Sequence, residues 1–254
     1  MRTFSPRDWA GQAVLLVAPH PDDEAFGCGG TAHLLAKAGA HVHVVVAGAG
    51  DGGVGGGASA AEREEESRQA CELLGVQPPV FLRLASQALR DDPCAAGLAL
   101  AASLSGGTKP ALVLVPSPFE RHRTHQATLL AALCAGLGGA AWWGYGVWDA
   151  LPALDAVAEI DVTEARSAKT LAMSAYVSQN RNRSLAAAIA ARDMSQATLS
   201  RFTGEEPRKA VERLLDLGGL AGGAAPATAE QARARVADWM SQLTRAWAAA
   251  LWPR

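Results

Sequence analysis

Val14 to Ala18 is an unbroken apolar run that stops at Pro19, the pattern of a strand covered on both faces in a parallel sheet. Val42 to Ala47, interrupted only by His43, and Ala111 to Val115 are further apolar runs and predict two more buried strands. Between the first two runs, Gly30 to Ala38 has helical character with Gly39 as its stop. Ala60 to Leu74 is a charged amphipathic helix closed by Gly75, and Val80 to Leu82 is a short strand. Further on, Trp142 to Trp148 predicts an aromatic strand and Glu159 to Val162 a short one. Ala165 to Tyr176, Ser184 to Ala191 and Glu205 to Asp216 predict helices, the last with Pro207 in its first turn. Alternation of strand, loop and helix predicts an α/β fold with right-handed crossovers.

Near the C-terminus, GGLAGGAAPATA (218–229) has little large apolar surface and reads as a linker. Beyond it, Val236, Trp239, Met240, Leu243 and Trp247 recur at helical spacing. The expected division is a main domain over 1–215, a linker over 216–229 and an amphipathic helix over 230–254. That helix docks on the main domain in one reading. In the other it binds a partner or self-associates into a homo-oligomer.

At 254 residues the chain can bury a large core. With 23 Lys and Arg against 25 Asp and Glu, it lacks the charge excess that grips nucleic acid or anionic lipid, so a small-molecule partner is expected. The polar N-terminus and apolar runs far below the roughly 20 residues of a bilayer span predict a soluble, cytoplasmic protein with no membrane insertion. Cys28, Cys71, Cys94 and Cys134 form no CxxC pair and read as buried free thiols of a reducing compartment.

Open α/β sheets bind ligands beyond the carboxyl ends of their strands. There stand His20, Asp22 and Asp23 in APHPDDE, after the first strand, and His122 and His125 in PFERHRTH, after the strand at 111–115. Zn2+ takes nitrogen and carboxylate ligands and leaves one position open when it is catalytic. His20, Asp23 and His125 supply two imidazoles and a carboxylate. Asp22 is then free as general base and His122 as acid or oxyanion donor, the two groups that hydrolysis of an unreactive bond needs. Asp22 and Asp23 also suit a turn or helix cap, and His33 and His41 read as ordinary packing or surface histidines. The glycines of FGCGG (26–30) suit a phosphate turn or a close approach of backbone. Asp51, in the glycine-rich run after the second strand, suits either a sugar hydroxyl or a mobile loop.

Together these motifs resemble the LmbE-like, or PIG-L-type, N-acetylglucosaminyl de-N-acetylase family. The resemblance covers about residues 12–180. It rests on His20-Pro21-Asp22-Asp23-Glu24 followed by Gly29 and Gly30, on Arg63, Glu66, Ala70, Leu74 and Gly75 in a helix, on Glu120, His122 and His125, and on Lys169, Ser178 and Gln179. It implies a Rossmann-like three-layer sandwich with a mostly parallel sheet, and zinc-dependent hydrolysis of an N-acetyl group on an amino sugar or its conjugate. It also implies metal ligands at His20, Asp23 and His125, Asp22 as base and His122 as proton donor or oxyanion group. The second motif usually reads HPDH, and Arg123 and Thr124 stand in its middle here; Tyr176 stands where a histidine is common. These departures bear on the substrate. The alternative reading is a non-catalytic Rossmann-like module that binds a sugar or nucleotide through its glycine loops, with a methyltransferase-like enzyme a more distant one.

Overall fold

This computed structural model describes residues 3–50, 58–104, 109–152, 156–181, 184–199 and 210–251. Seven strands form one sheet: β1 (Ala13–Ala18), β2 (His41–Gly48), β3 (Val80–Leu84), β4 (Leu112–Pro116), β5 (Ala141–Tyr145), β6 (Val157–Asp161) and β7 (Val211–Asp216). Their order is β3-β2-β1-β4-β5-β7-β6. β7 runs antiparallel to both its neighbours, and the other pairings are parallel.

The helices are α1 (Asp23–Lys37), α2 (Ala60–Leu74), α3 (Ser86–Asp91), α4 (Pro93–Ser103), α5 (Arg123–Cys134), α6 (Arg166–Ala175), α7 (Val177–Asn180), α8 (Leu185–Leu199), α9 (Gly218–Ala221) and α10 (Ala229–Leu251). They cover both faces of the sheet. Val14, Leu16 and Ala18 of β1 pack with Phe26 and Leu35 of α1, Leu74 of α2 and Met173 of α6. Leu15 and Val17 point the other way, towards Leu100 of α4 and Leu129 of α5. Burial of both faces is why β1 shows no polar alternation. Val236, Trp239 and Leu243 of α10 rest on the second layer, and among the described residues no helix is long and apolar enough to cross a membrane.

Two expectations fail. Of the helix expected over Glu205–Asp216, residues 205–209 lie outside the described residues and 211–216 are strand β7. Val211, Leu214 and Leu215 have helical spacing, but pairing with β5 and β6 decides the conformation. The second correction concerns Cys94 and Cys134, which are joined in a disulfide between α4 and α5, with Cα atoms 5.1 Å apart. Gly97 lets these helices meet: a Cβ there would lie 2.5 Å from the Ala131 carbonyl oxygen. No motif links the two cysteines, which stand 40 positions apart, and the cysteine argument for a reducing compartment falls with the bond. Cys28 and Cys71 are buried free thiols, as expected.

The FGCGG glycines lie inside α1, which kinks at Cys28 (φ −141°, ψ 32°). A Cβ on Gly27 would meet the Tyr145 ring at 2.4 Å, and one on Gly30 would meet Val162 at 2.8 Å, so close packing accounts for both. Beyond the kink, the backbone N–H groups of Gly30 and Thr31 each donate to the Glu212 carboxylate of β7 at 2.8 Å, which caps the second half of the helix. Lys169 Nζ lies 2.6 Å from both Glu212 Oε1 and Asp193 Oδ2, completing a buried charged brace under α1.

Candidate active site

β1 and β4 are neighbours, and strand order reverses between them, so a crevice opens beyond their carboxyl ends. His20 follows β1, Asp22 and Asp23 open α1, His122 occupies the cap position of α5 and His125 lies in its first turn. The second histidine pair is thus carried by a helix start as well as by a loop. All five side chains meet here. His20 Nδ1 is 3.0 Å and His125 Nε2 3.2 Å from the same oxygen, Asp23 Oδ2. The ring of His122 lies 5.2 Å from that of His20 and 4.7 Å from that of His125.

His125 is fully buried and held from behind, its Nδ1 2.9 Å from Glu120 Oε2. Its Nε2 faces Asp23 at an angle that closes no hydrogen bond, leaving a buried nitrogen aimed at the convergence point without a hydrogen-bond partner. Burial disfavours charge on this ring, yet Asp23 and Glu120 at its two nitrogens raise its pKa to about 10. Asp23 is held low by His125 and His20 despite its burial. Such a nitrogen beside a shared carboxylate oxygen fits a cation as well as a proton, and imidazole plus carboxylate is a donor set for zinc. Two overlapping groups bring one ligand atom per residue within 4.8 Å of one another: His20, His122 and His125, and His20, Asp22 and Asp23.

Asp22 sits at the cap position of α1, but its side chain caps nothing. Its φ of 140° is a conformation that side chains other than glycine rarely adopt. Two contacts hold it there: its N–H donates to Glu24 Oε2 at 3.1 Å, and its Oδ2 accepts from Arg63 Nη2 at 3.0 Å. Burial and the Asp23 charge push the Asp22 carboxyl well up, with Arg63 opposing them. Glu24 also accepts from Ser67 Oγ at 2.8 Å and from the Tyr176 hydroxyl. Glu24, Ser67 and Tyr176 are all buried, so a closed network lies beneath Asp22. The His122 side chain is exposed, and its pKa is pushed down to about 4 by partial desolvation and by His125 and His20.

Residues 15–135 match the family model for PIG-L, GlcNAc-PI de-N-acetylase. That segment is a PIG-L family domain. No curated protein sequence matches the chain. Among solved structures, the conserved protein TT1542 from Thermus thermophilus is 24% identical with a TM-score of 0.66, over 81% of this chain and 94% of that one. An N,N'-diacetylchitobiose deacetylase from Pyrococcus horikoshii is 21% identical with a TM-score of 0.63, over 80% and 82%. GalB, the 4-carboxy-2-hydroxymuconate hydratase from Pseudomonas putida, is 20% identical with a TM-score of 0.59, over 81% and 96%. At these identities the likeness is one of fold, and since a hydratase shares it, the reaction has to be argued from the site.

The other residues singled out in the sequence fall elsewhere. Lys169 belongs to the brace under α1, and Ser178 donates through N and Oγ to Glu66 of α2. His33 Nδ1 packs 3.0 Å from the Leu74 carbonyl oxygen, and His41 is exposed, both as ordinary histidines. Asp51 lies outside the described residues. Arg63 and Glu120 stood in the PIG-L motifs without a role. The signal that marks Arg63 is the run of polar positions on α2, Arg63, Glu64, Glu66 and Ser67, all of which are buried.

Proposed function

We propose that the protein hydrolyses the N-acetyl group of an amino sugar or its conjugate to acetate and a primary amine, with Zn2+ held by His20, Asp23 and His125. The observation that carries this reading is the approach of His20 Nδ1 and His125 Nε2 to one oxygen of Asp23, with His122 beside them and Asp22 bound through a single oxygen, Oδ2, to Arg63. The metal would supply Lewis acidity, polarising the amide carbonyl and acidifying water. Asp22 takes the proton of the attacking water: Arg63 fixes its Oδ2, and its Oδ1 meets no donor among the described residues. His122, held neutral at pH 7, donates an N–H to the oxygen that becomes negative as water adds to the carbonyl. When the C–N bond breaks, the proton on Asp22 passes to the leaving nitrogen, and the atoms balance as amide plus water to acid plus amine.

The PIG-L domain over 15–135 and the deacetylase named among the fold neighbours support the acetyl group as the target. A non-catalytic module would draw on the glycines of FGCGG, and helix packing already takes those up. We take 1–215 as the catalytic domain, 216–229 as a linker and 230–254 as an appended helix. Acetate release by the zinc-loaded protein, screened over N-acetylglucosamine, its glycosides and chitooligosaccharides, tests the reaction. Acetate and amine in equal amounts from at least one substrate, released at least about 10²-fold more slowly by Asp22→Asn, is the expected result. No acetate from any of them, with the metal bound, overturns it.

A further inference from the structure

Trp142 and Trp143 are buried, and Trp9 and Trp239 pack against the core clusters, but Trp148 stands 49% exposed. Its ring meets no other aromatic ring and its indole N–H no acceptor among the described residues. Its backbone is nevertheless held in place. It lies on the tight turn after β5, at the ligand-binding end of the sheet, where a Cβ on Gly146 would lie 2.3 Å from the Asp149 carbonyl oxygen. Glu120 Oε1 accepts the N–H groups of Val147, Trp148 and Asp149 at 2.6, 3.1 and 3.2 Å. Arg192 Nη1 donates to the carbonyl oxygens of Gly146 and Val147 at 2.9 and 2.8 Å. On the outer side, Arg121, next to His122, binds Asp149 through its N–H and its Nε.

The other oxygen of Glu120 holds His125, so a single carboxylate ties the backbone of Trp148 to the convergence point of the site. On a braced turn the backbone of Trp148 is already ordered, and a ligand that stacks on its ring has only the two side-chain torsions left to fix. The electron-rich face of an indole attracts weakly positive C–H groups, which a pyranose ring presents along one face, and the free N–H can meet a sugar hydroxyl.

We propose that Trp148 is the stacking platform for the pyranose ring of the substrate and sets the preference for a cyclic amino sugar over other acetamides. This rests on the reading of the site as an amino-sugar deacetylase.

The test compares wild type, Trp148→Ala and Trp148→Phe, each zinc-loaded, on methyl N-acetyl-β-glucosaminide and on the acyclic acetamide N-acetylethanolamine. Trp148→Ala should raise KM for the glycoside about fivefold to tenfold, with a smaller change in kcat. Its loss in kcat/KM on the glycoside should exceed its loss on the acyclic acetamide, and Trp148→Phe should recover most of the difference. An unchanged KM, or equal losses on both substrates, overturns the platform while leaving the deacetylase reading intact. If wild type hydrolyses neither compound, calorimetric binding of the glycoside decides: weaker binding by Trp148→Ala upholds the platform without the reaction, and equal or absent binding overturns it.

Discussion

Glu120 and His125 are joined at 2.9 Å through Oε2 and Nδ1, and neither side chain is exposed to solvent. The bond presents Nε2 of His125 to Asp23 and fixes the ring, as carboxylates behind metal-binding histidines do. Because Glu120 also accepts three backbone N–H groups of the 147–149 turn, it fixes the ring of His125 and the backbone of that turn together.

Glu120→Gln keeps an oxygen for the turn but removes the negative charge behind His125. Zinc affinity, measured by chelator competition, should fall about 10-fold to 100-fold. An unchanged affinity would mean that the Glu120 bond does not orient a ligand.

Metal content distinguishes the proposed ligand set, His20, Asp23 and His125, from the two overlapping groups His20, His122, His125 and His20, Asp22, Asp23. Elemental analysis of the wild-type protein should find about one zinc per chain, lost in His20→Ala, Asp23→Asn and His125→Ala. His122→Ala should keep its zinc and lose turnover, because its N–H is needed only as charge develops on the oxygen. Zinc lost in step with activity in His122→Ala would make the three histidines the ligand set.

The strands and the chemistry-bearing motifs were legible in the sequence for different reasons. β1, β4 and β2 from Val44 onward are buried on both faces, and unbroken apolar runs are the mark of such strands. α2 spans 60–74 as its charge pattern and Gly75 stop predict, with Gly75 at φ 71°. His20, Asp22, Asp23, His122 and His125 stand at strand ends, where topology alone brings them together. The partners that hold them are remote: Glu120 binds Val147 across 27 positions and Tyr176 binds Glu24 across 152. Tyr176 thus reads in the sequence as a residue bearing on the substrate and in the fold as a fully buried support for Glu24. β7 misled because Glu212 is charged and buried, and its justification, the cap on Gly30 and Thr31 with Lys169 beside it, is visible only in three dimensions.

Asp22→Asn retains the shape of the side chain and its bond to Arg63 while removing the base. Turnover should fall by roughly 10² to 10⁴ with zinc content kept at about one per chain. A metal-free Asp22→Asn protein would exchange the roles of Asp22 and Asp23.

Lys169 separates stability from chemistry, since its Nζ binds Asp193 and Glu212, and Glu212 in turn caps α1. Lys169→Met leaves the buried Glu212 without its cation, while Asp193 keeps Arg192, a loss of about 3–5 kcal/mol in unfolding free energy by urea titration at pH 7. The pH dependence has a definite sign. Burial lowers the Lys169 pKa, but Glu212 and Asp193 outweigh it, and the folded value is raised above 10.5. A raised lysine pKa contributes stability that is fully present below about 10.5 and is lost as pH rises through the folded value. Wild type should therefore lose stability in that alkaline range more steeply than Lys169→Met does. Equal stability of the two proteins at pH 7, or parallel curves above 10.5, would show that the buried brace contributes nothing to holding α1 in place.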